Sequence, residues 1–414
     1  MSTSTSDTAY VWVWLPGELE PVPAGVIQRR GGRYVFQYGR RYLARTDAIS
    51  LYSPALPLRE GWIEPPTGWD IAPNLRDASP DAWGRRVILD RLAGERGRDA
   101  DVDQLDELTY LLASGSNRIG GIDFQHSSST YVPRDETSDL DELHDAATAL
   151  DEGRPLSDEL RRALQSGTGI GGARPKAYLH EGRREVIAKF SASTDTLPLV
   201  QAEGAAIVMA AAAGIDVPPM DVTRSRGRYA LVMDRFDRTE TGARRLVVSG
   251  LTMSGRPETL VPGGSYPELL DTLREHGAGP GTAEQLFRRV AFNIAITNTD
   301  DHLRNHAAFW DGHRLELTPA YDLSPSSRSG DTALLTLAYD RDGNRAASFA
   351  TLAAAAHVYG LTTATAHAII DGVVDAMHRS WATAADQARL TASQRGQLWG
   401  TQFLHRSVFY DYDR

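Results

Sequence analysis

The residues best suited to chemistry lie in the run Asn298-Thr299-Asp300-Asp301-His302-Leu303-Arg304-Asn305. A carboxylate that accepts a hydroxyl proton, followed five residues later by a carboxamide that holds a divalent cation, is the arrangement of a kinase catalytic loop. Asp300 and Asn305 have that spacing, whereas Asp301 and Asn305 do not. Asp300 is therefore the candidate catalytic base and Asp301 its neighbour. Further on, Asp311-Gly312 separates two short apolar runs, a strong hairpin signal. A hairpin there returns the chain to the same place and delivers Asp322, within Thr318 to Pro325, to Asn305. Asn305 and Asp322 are the candidate ligands of Mg2+, a cation that takes oxygen donors and keeps several waters. A polar loop whose acids cap helices, or an Asp/His metal-hydrolase site, would use the same residues; the latter would want closely spaced histidines such as H-x-x-x-H, and no such pair is expected here.

The second group is Gly167-Thr168-Gly169-Ile170-Gly171-Gly172-Ala173-Arg174-Pro175-Lys176. Its G-x-G-x-x-G at Gly167, Gly169 and Gly172 also fits a flexible turn or a dinucleotide-binding fingerprint. That fingerprint requires a strand before and a helix after. Here Glu159 to Leu164 reads as helix, and Pro175 would disturb a helix opening at Gly172. The next residues instead form a hairpin pattern, Ala177 to His180 and Glu185 to Phe190, joined by Glu181-Gly182-Arg183-Arg184. A glycine-rich loop followed by a strand lysine is how kinases hold ATP phosphates, and Lys189 is that lysine, with an exposed edge-strand lysine as the alternative. Glu203, near the start of a helix over Val200 to Ala213, can reach back to Lys189 or simply favour the helix dipole. The apolar strand Tyr229 to Met233 runs into Asp234-Arg235-Phe236-Asp237-Arg238, placed to act as a hinge against adenine.

The elements that must position these groups are legible in outline. Short strands open the chain at Val11 to Leu15 and, after the Gly31-Gly32 turn, at Tyr34 to Tyr38. A helix comes after Ser79-Pro80-Asp81, with serine as cap and proline at the first helical position, and another runs through Leu105 to Leu112. Ser127 to Leu140 is a polar linker. The division expected is a small β-rich then helical domain over 1–145, an N-lobe over 146–240 and a C-lobe over 241–414. Phe287, Val290 and Ile294 mark an amphipathic helix leading into Asn298.

Composition narrows the function. With 414 residues, 41% hydrophobic and 24% charged, the chain can build two or three packed units. It contains no cysteine, which removes disulfides, thiolate metal sites and cysteine nucleophiles. Met1 to Tyr10 lacks the pattern of a signal peptide, and no apolar run reaches the roughly 20 residues of a membrane span. A soluble, cytoplasmic protein is expected. A net charge of -10 argues against an isolated nucleic-acid binder, and the pairs Arg85-Arg86 and Arg288-Arg289 read as solvated helix faces.

Taken together, the residues resemble the HipA family of bacterial toxin–antitoxin kinases across nearly the whole chain. Gly171 to Ala177 is similar to the family's glycine loop, Asp234 to Arg238 to its hinge, Thr299 to Asn305 to its catalytic loop and Leu317 to Asp322 to its metal segment. Phe36-Gln37-Tyr38, Leu56-Pro57-Leu58 and Asn74-Leu75 through Pro80-Asp81 resemble its small N-terminal domain. The resemblance implies an α+β fold: a protein-kinase-like two-lobe core, with a β-rich N-lobe and an all-helical C-lobe, after a small α/β domain. It implies a serine/threonine kinase linked to persistence, with Asp300 as catalytic residue. ATP would be bound by Gly171, Gly172, Ala173, Arg174, Pro175, Lys176, Lys189, Asp234, Arg235, Phe236, His302, Asn305 and Asp322, with Mg2+ as cofactor. The implied protein substrate is an aminoacyl-tRNA synthetase of the glutamyl type. The implied partner is a HipB-like helix-turn-helix antitoxin, through which alone DNA would be met; no membrane is involved. Family members often carry an autophosphorylated serine before the glycine loop. Gly169 stands there in this chain, which leaves Ser166 and Thr168 as nearby candidates. A small-molecule kinase or a non-catalytic partner of a DNA-binding protein is the alternative.

Overall fold

The computed structural model describes residues 7–94, 101–134, 139–154, 157, 176–181, 184–191, 195–328 and 330–413. Three antiparallel sheets organise it. The first has the order β3-β2-β1-β4, from β1 (Thr8–Val13), β2 (Val22–Arg30), β3 (Arg33–Tyr38) and β4 (Ile122–Gln125). The β2–β3 turn falls at Gly31, whose φ of 60° suits a residue without a Cβ. The helix Ala82–Ala93 comes later in the chain, but its cap is Asp81, which accepts from Gly84 N, rather than the serine the sequence suggests. Ser79 instead donates to Glu107, next to the Asp106 cap of the helix Glu107–Ala113.

The second sheet, β5-β6-β8-β7, comprises β5 (Lys176–Glu181), β6 (Arg184–Phe190), β7 (Met220–Ser225) and β8 (Arg228–Asp234). Side chains alternate across a strand, so β6 has two faces. Val186, Ala188 and Phe190 join Ala177, Leu179, Ala230 and Val232 in an apolar layer covered by Leu143, Ala146, Ala147, Trp83 and Val87. The cover is the helix Leu140–Asp151 together with the helix Ala82–Ala93. Position 145 therefore lies inside a helix whose apolar face belongs to the second sheet. The opposite face of the sheet carries the helix Leu199–Ala212, buried along most of its length.

Beyond β8 the chain is mainly helical. Tyr266–Glu275, Thr282–Ala295 and the 25-residue Thr363–Gln387 form its frame, the last packing on both Leu199–Ala212 and Thr282–Ala295. This lobe is not wholly helical, because it holds a third sheet, β11-β10-β9, of β9 (Leu246–Ser249), β10 (Ala307–Trp310) and β11 (Leu315–Leu317). The Asp311-Gly312 turn joins β10 to β11, with Asp311 Oδ1 accepting from His313 N at 2.8 Å and Arg314 N at 2.7 Å. β9 lies outside the sequence pattern because no hairpin turn joins it to β10, its partner far along the chain. Among the described residues no helix is long and apolar enough to cross a membrane.

Candidate active site

Lys176 on β5 pairs in register with Lys189 on β6, so the two lysines share the sheet face opposite the apolar layer. Lys189 is buried there, and its Nζ donates to Glu203 Oε1 at 2.5 Å. Gly204 lets the glutamate's helix lie this close, since a Cβ there would stand 2.7 Å from Val222 Cγ2. Lys189 Nζ also meets Asp322 Oδ1 at 2.5 Å, and Asp322 Oδ2 accepts from Asn305 Nδ2 at 3.0 Å. Asp322 remains 35% exposed, so a ligand can reach it. Four groups, two from each lobe, thus meet at one point.

The loop carrying Asn305 is set by the end of the helix Thr282–Ala295. Asn298 N reaches back to Asn293 O at 2.8 Å and Thr297 N to Ile294 O at 3.1 Å, a Schellman closure. That closure requires a left-handed residue, and Thr297 supplies it at φ 53° despite its branched side chain. Strain of this kind is concentrated where geometry is over-determined by its surroundings. Asp322 is also left-handed, at φ 58°. Asn298, fully buried, donates to Asn293 Oδ1 at 3.1 Å and to Asp322 O at 3.5 Å, tying the two strained segments together.

The adjacent aspartates have opposite fates. Asp300 is exposed. Asp301 is 2% exposed, accepting from Tyr266 OH and lying 2.8 Å from His306 Nε2. It thus holds the loop from beneath. His302 and His306 do have the H-x-x-x-H spacing of a zinc pair, against the expectation that this region holds no such histidine pair. The structure commits the His306 ring to Asp301, and among the described residues no group of three or more His, Asp or Glu could hold a metal.

The charges are strongly coupled. Burial works to raise the Asp322 carboxyl, yet the Lys189 and Lys176 ammonium groups outweigh it and hold that carboxyl well below the usual range. Burial likewise opposes the charge on Lys189, but Asp322 and Glu203 hold its pKa above the ordinary value. Lys176 goes the other way: burial and the neighbouring Lys189 charge lower it.

Other sequence candidates are placed differently. Ser166, Thr168, Gly169 and the loop Gly171, Gly172, Ala173, Arg174 and Pro175 lie outside the described residues. His302 has a buried Nδ1 with no partner and lies within the electrostatic reach of Asp322. Phe236 is half-buried, its ring 5.7 Å from Tyr321 and 6.0 Å from Phe309. Asp234 pairs with Arg184. Arg235 turns away from the cleft: Nε and Nη2 bind Asp237, and Nη2 donates to Arg118 O at 2.6 Å, leaving only its backbone for a ligand in the hinge. The repeated arginine–aspartate pattern of Asp234 to Arg238 was the available signal for such ion pairing.

Two family models match the chain: the HipA N-terminal domain over residues 13–125 and the HipA-like C-terminal domain over residues 168–381. The curated protein named "Putative kinase Y4mE", from Sinorhizobium fredii, is 28% identical over 146 residues. That match spans 33% of this chain and 33% of the relative, about a third of its length. HipA of Shewanella oneidensis MR-1, solved with HipB and its operator DNA, has 17% identity and a TM-score of 0.67, covering 98% of this chain and 100% of that one. The likeness is one of fold. The proinflammatory kinase CtkA of Helicobacter pylori reaches a TM-score of 0.38 at 14% identity over 56% of this chain and 95% of its own, too slight to argue from.

Proposed function

This chain belongs to the HipA family, and from that premise we propose that it is an ATP-dependent serine/threonine protein kinase, the toxin of a toxin–antitoxin pair. The observation that carries the reading is the meeting of Lys189, Glu203, Asn305 and Asp322, with Asp300 exposed on the same loop as Asn305. The residues fit the ligands the reading requires. Lys189 uses two of its three N–H donors on carboxylates and keeps one for a phosphate oxygen. Asn305 and Asp322 offer oxygen donors suited to Mg2+, which takes one or two protein ligands and fills its shell with phosphate oxygens and water. Bound there, the ion would neutralise charge on the transferred phosphoryl group.

In this reading Glu203 fixes Lys189, which with Lys176 presents positive charge to the phosphates. Asp300 takes the proton from a serine or threonine hydroxyl as that oxygen bonds to the γ-phosphorus and the bond to the bridging oxygen of ADP breaks. Asp301 has no part in proton transfer, because its carboxylate faces the protein interior. For the target we propose an aminoacyl-tRNA synthetase of the glutamyl type, and for the restraining partner a HipB-like helix-turn-helix protein. DNA would be met through that partner, since a net charge of -10 supplies no basic footprint of its own.

The test compares the purified wild-type chain with Asp300→Asn in a bacterial lysate supplied with magnesium and γ-labelled ATP. Wild type should label a protein on serine or threonine. Asp300→Asn should bind ATP normally and label roughly 10²–10⁴ times more slowly, the usual loss for a general base. Asp301→Asn should show its damage mainly as a lowered melting temperature. Full-rate labelling by Asp300→Asn would overturn the assignment.

A further inference from the structure

The loop that carries Asp300 is held in part by side chains from the N-terminal region. After the short helix Pro73–Arg76, the Asp77 side chain enters the C-lobe. Asp77 Oδ2 accepts from Ser249 N at 2.8 Å and Thr252 Oγ1 at 2.7 Å, while Oδ1 accepts from Ser249 Oγ at 2.7 Å. Ser249 is itself the cap of the helix Gly250–Ser254, its Oγ accepting from Thr252 N. One carboxylate from the N-terminal region thus fixes both the cap and the first turn of a C-lobe helix.

That helix abuts the catalytic loop without a side chain between them. Gly250 N donates to His306 O at 2.6 Å. A Cβ on Gly250 would stand 2.5 Å from Leu303 O, and one on Gly264 would stand 2.7 Å from Leu303 Cδ1. Leu303, midway between Asp300 and Asn305, is therefore wedged between two glycine backbones and fully buried. A second link runs in parallel. Arg76 binds Glu258 through two bonds, Nη2 at 3.0 Å and Nε at 3.2 Å, and Glu258 Oε1 also accepts from Arg304 of the loop. Arg304 O in turn accepts from Tyr321 OH at 2.7 Å, beside Asp322.

We propose that Asp77 and Arg76 are positioning residues for the catalytic loop, which makes the N-terminal region part of the active-site scaffold rather than an appended module. The phosphoryl-transfer consequence rests on the kinase reading; the mechanical link does not. Hydrogen bonds to a charged group are stronger than neutral ones, and a small displacement of a reacting group is costly to rate. Loss of the Asp77 charge should therefore lower turnover more than it lowers ATP affinity.

The experiment uses full-length Asp77→Asn and Glu258→Gln, with Arg45→Ala, an exposed N-terminal pair, as control. Amide hydrogen exchange over residues 298–306 is followed beside kcat and the dissociation constant for Mg·ATP, at a temperature where circular dichroism shows each protein folded. Faster exchange in this loop for both variants but not the control, with kcat down about tenfold or more and ATP affinity within about twofold, is expected. A folded Asp77→Asn with unchanged exchange, or with kcat and ATP affinity falling together, would overturn the inference. If exchange rises while the wild type transfers no phosphoryl group to any protein, the link stands and the kinase reading fails.

Discussion

At Asp81 a single side chain carries two opposed demands. Its Oδ1 caps the helix Ala82–Ala93 by accepting from Gly84 N at 3.0 Å, while Oδ2 is buried with no partner. Burial pushes its pKa up to about 6, against the pull of Lys176 and of the Gly84 and Trp83 backbone N–H groups. A carboxyl whose folded pKa exceeds its unfolded value, about 3.9, binds its proton more tightly when folded. Its contribution is therefore complete below about pH 4, declines as pH rises to about 6, and stays lost above. Asp81→Asn keeps a capping oxygen and removes the buried charge. The variant should match wild type in urea unfolding near pH 4 and exceed it at pH 8 by on the order of 1–3 kcal/mol. Parallel stability curves for the two proteins would place the burial cost elsewhere.

Among the elements, the helix Leu199–Ala212 does the most positioning, because it carries Glu203 to Lys189 and packs on β7, β8 and the helix Thr363–Gln387. Its close approach depends on Gly204. In an open helix Gly→Ala gains about 1 kcal/mol, but here the new methyl would meet Val222 Cγ2 at 2.7 Å inside a filled core. Overpacking typically costs about 1–3 kcal/mol, so the sign reverses. Gly204→Ala should melt at a lower temperature than wild type and bind Mg·ATP more weakly, since the adjacent Glu203 shifts with the helix. A variant that gains stability would show that the helix is free to move out.

Across the whole molecule, the N-terminal sheet and the second sheet are joined by a buried polar network as well as by the chain between them. Asp237 accepts from Gly120 N at 2.6 Å and binds both Arg235 and Arg238, while Arg238 Nη2 reaches Asn117 at 2.7 Å. The field of the two arginines overcomes burial and holds the Asp237 carboxyl far below the usual range, so it stays charged through neutral and moderately acid pH. Removing it leaves two buried guanidinium groups with Glu185 as their shared carboxylate. Asp237→Ala should cost roughly 3–5 kcal/mol, the usual loss on breaking a buried pair from one side. Calorimetry should show one cooperative transition for wild type, split in the variant into an early one from the N-terminal region and a later one. A single transition at the wild-type temperature would mean that the apolar contacts suffice.

Features that depend on near neighbours along the chain are legible in the residues alone. The alternation of β6, the periodicity of Thr282–Ala295, the Asp311-Gly312 turn and the Asp300-to-Asn305 spacing all express contacts within a few residues, so they can be read without the fold. The destinations of polar side chains are settled by packing. Asp301 faces inward because Tyr266 and His306 receive it, and Tyr266 is 35 residues away. Arg235 leaves the cleft for Asn117 and Arg118, more than a hundred positions earlier, and Asp77 finds Ser249 across 172 residues. A carboxylate or guanidinium is satisfied by whichever partner the fold brings within about 3 Å. Local pattern gives the direction of the chain there, and only the packing of distant segments supplies the partner.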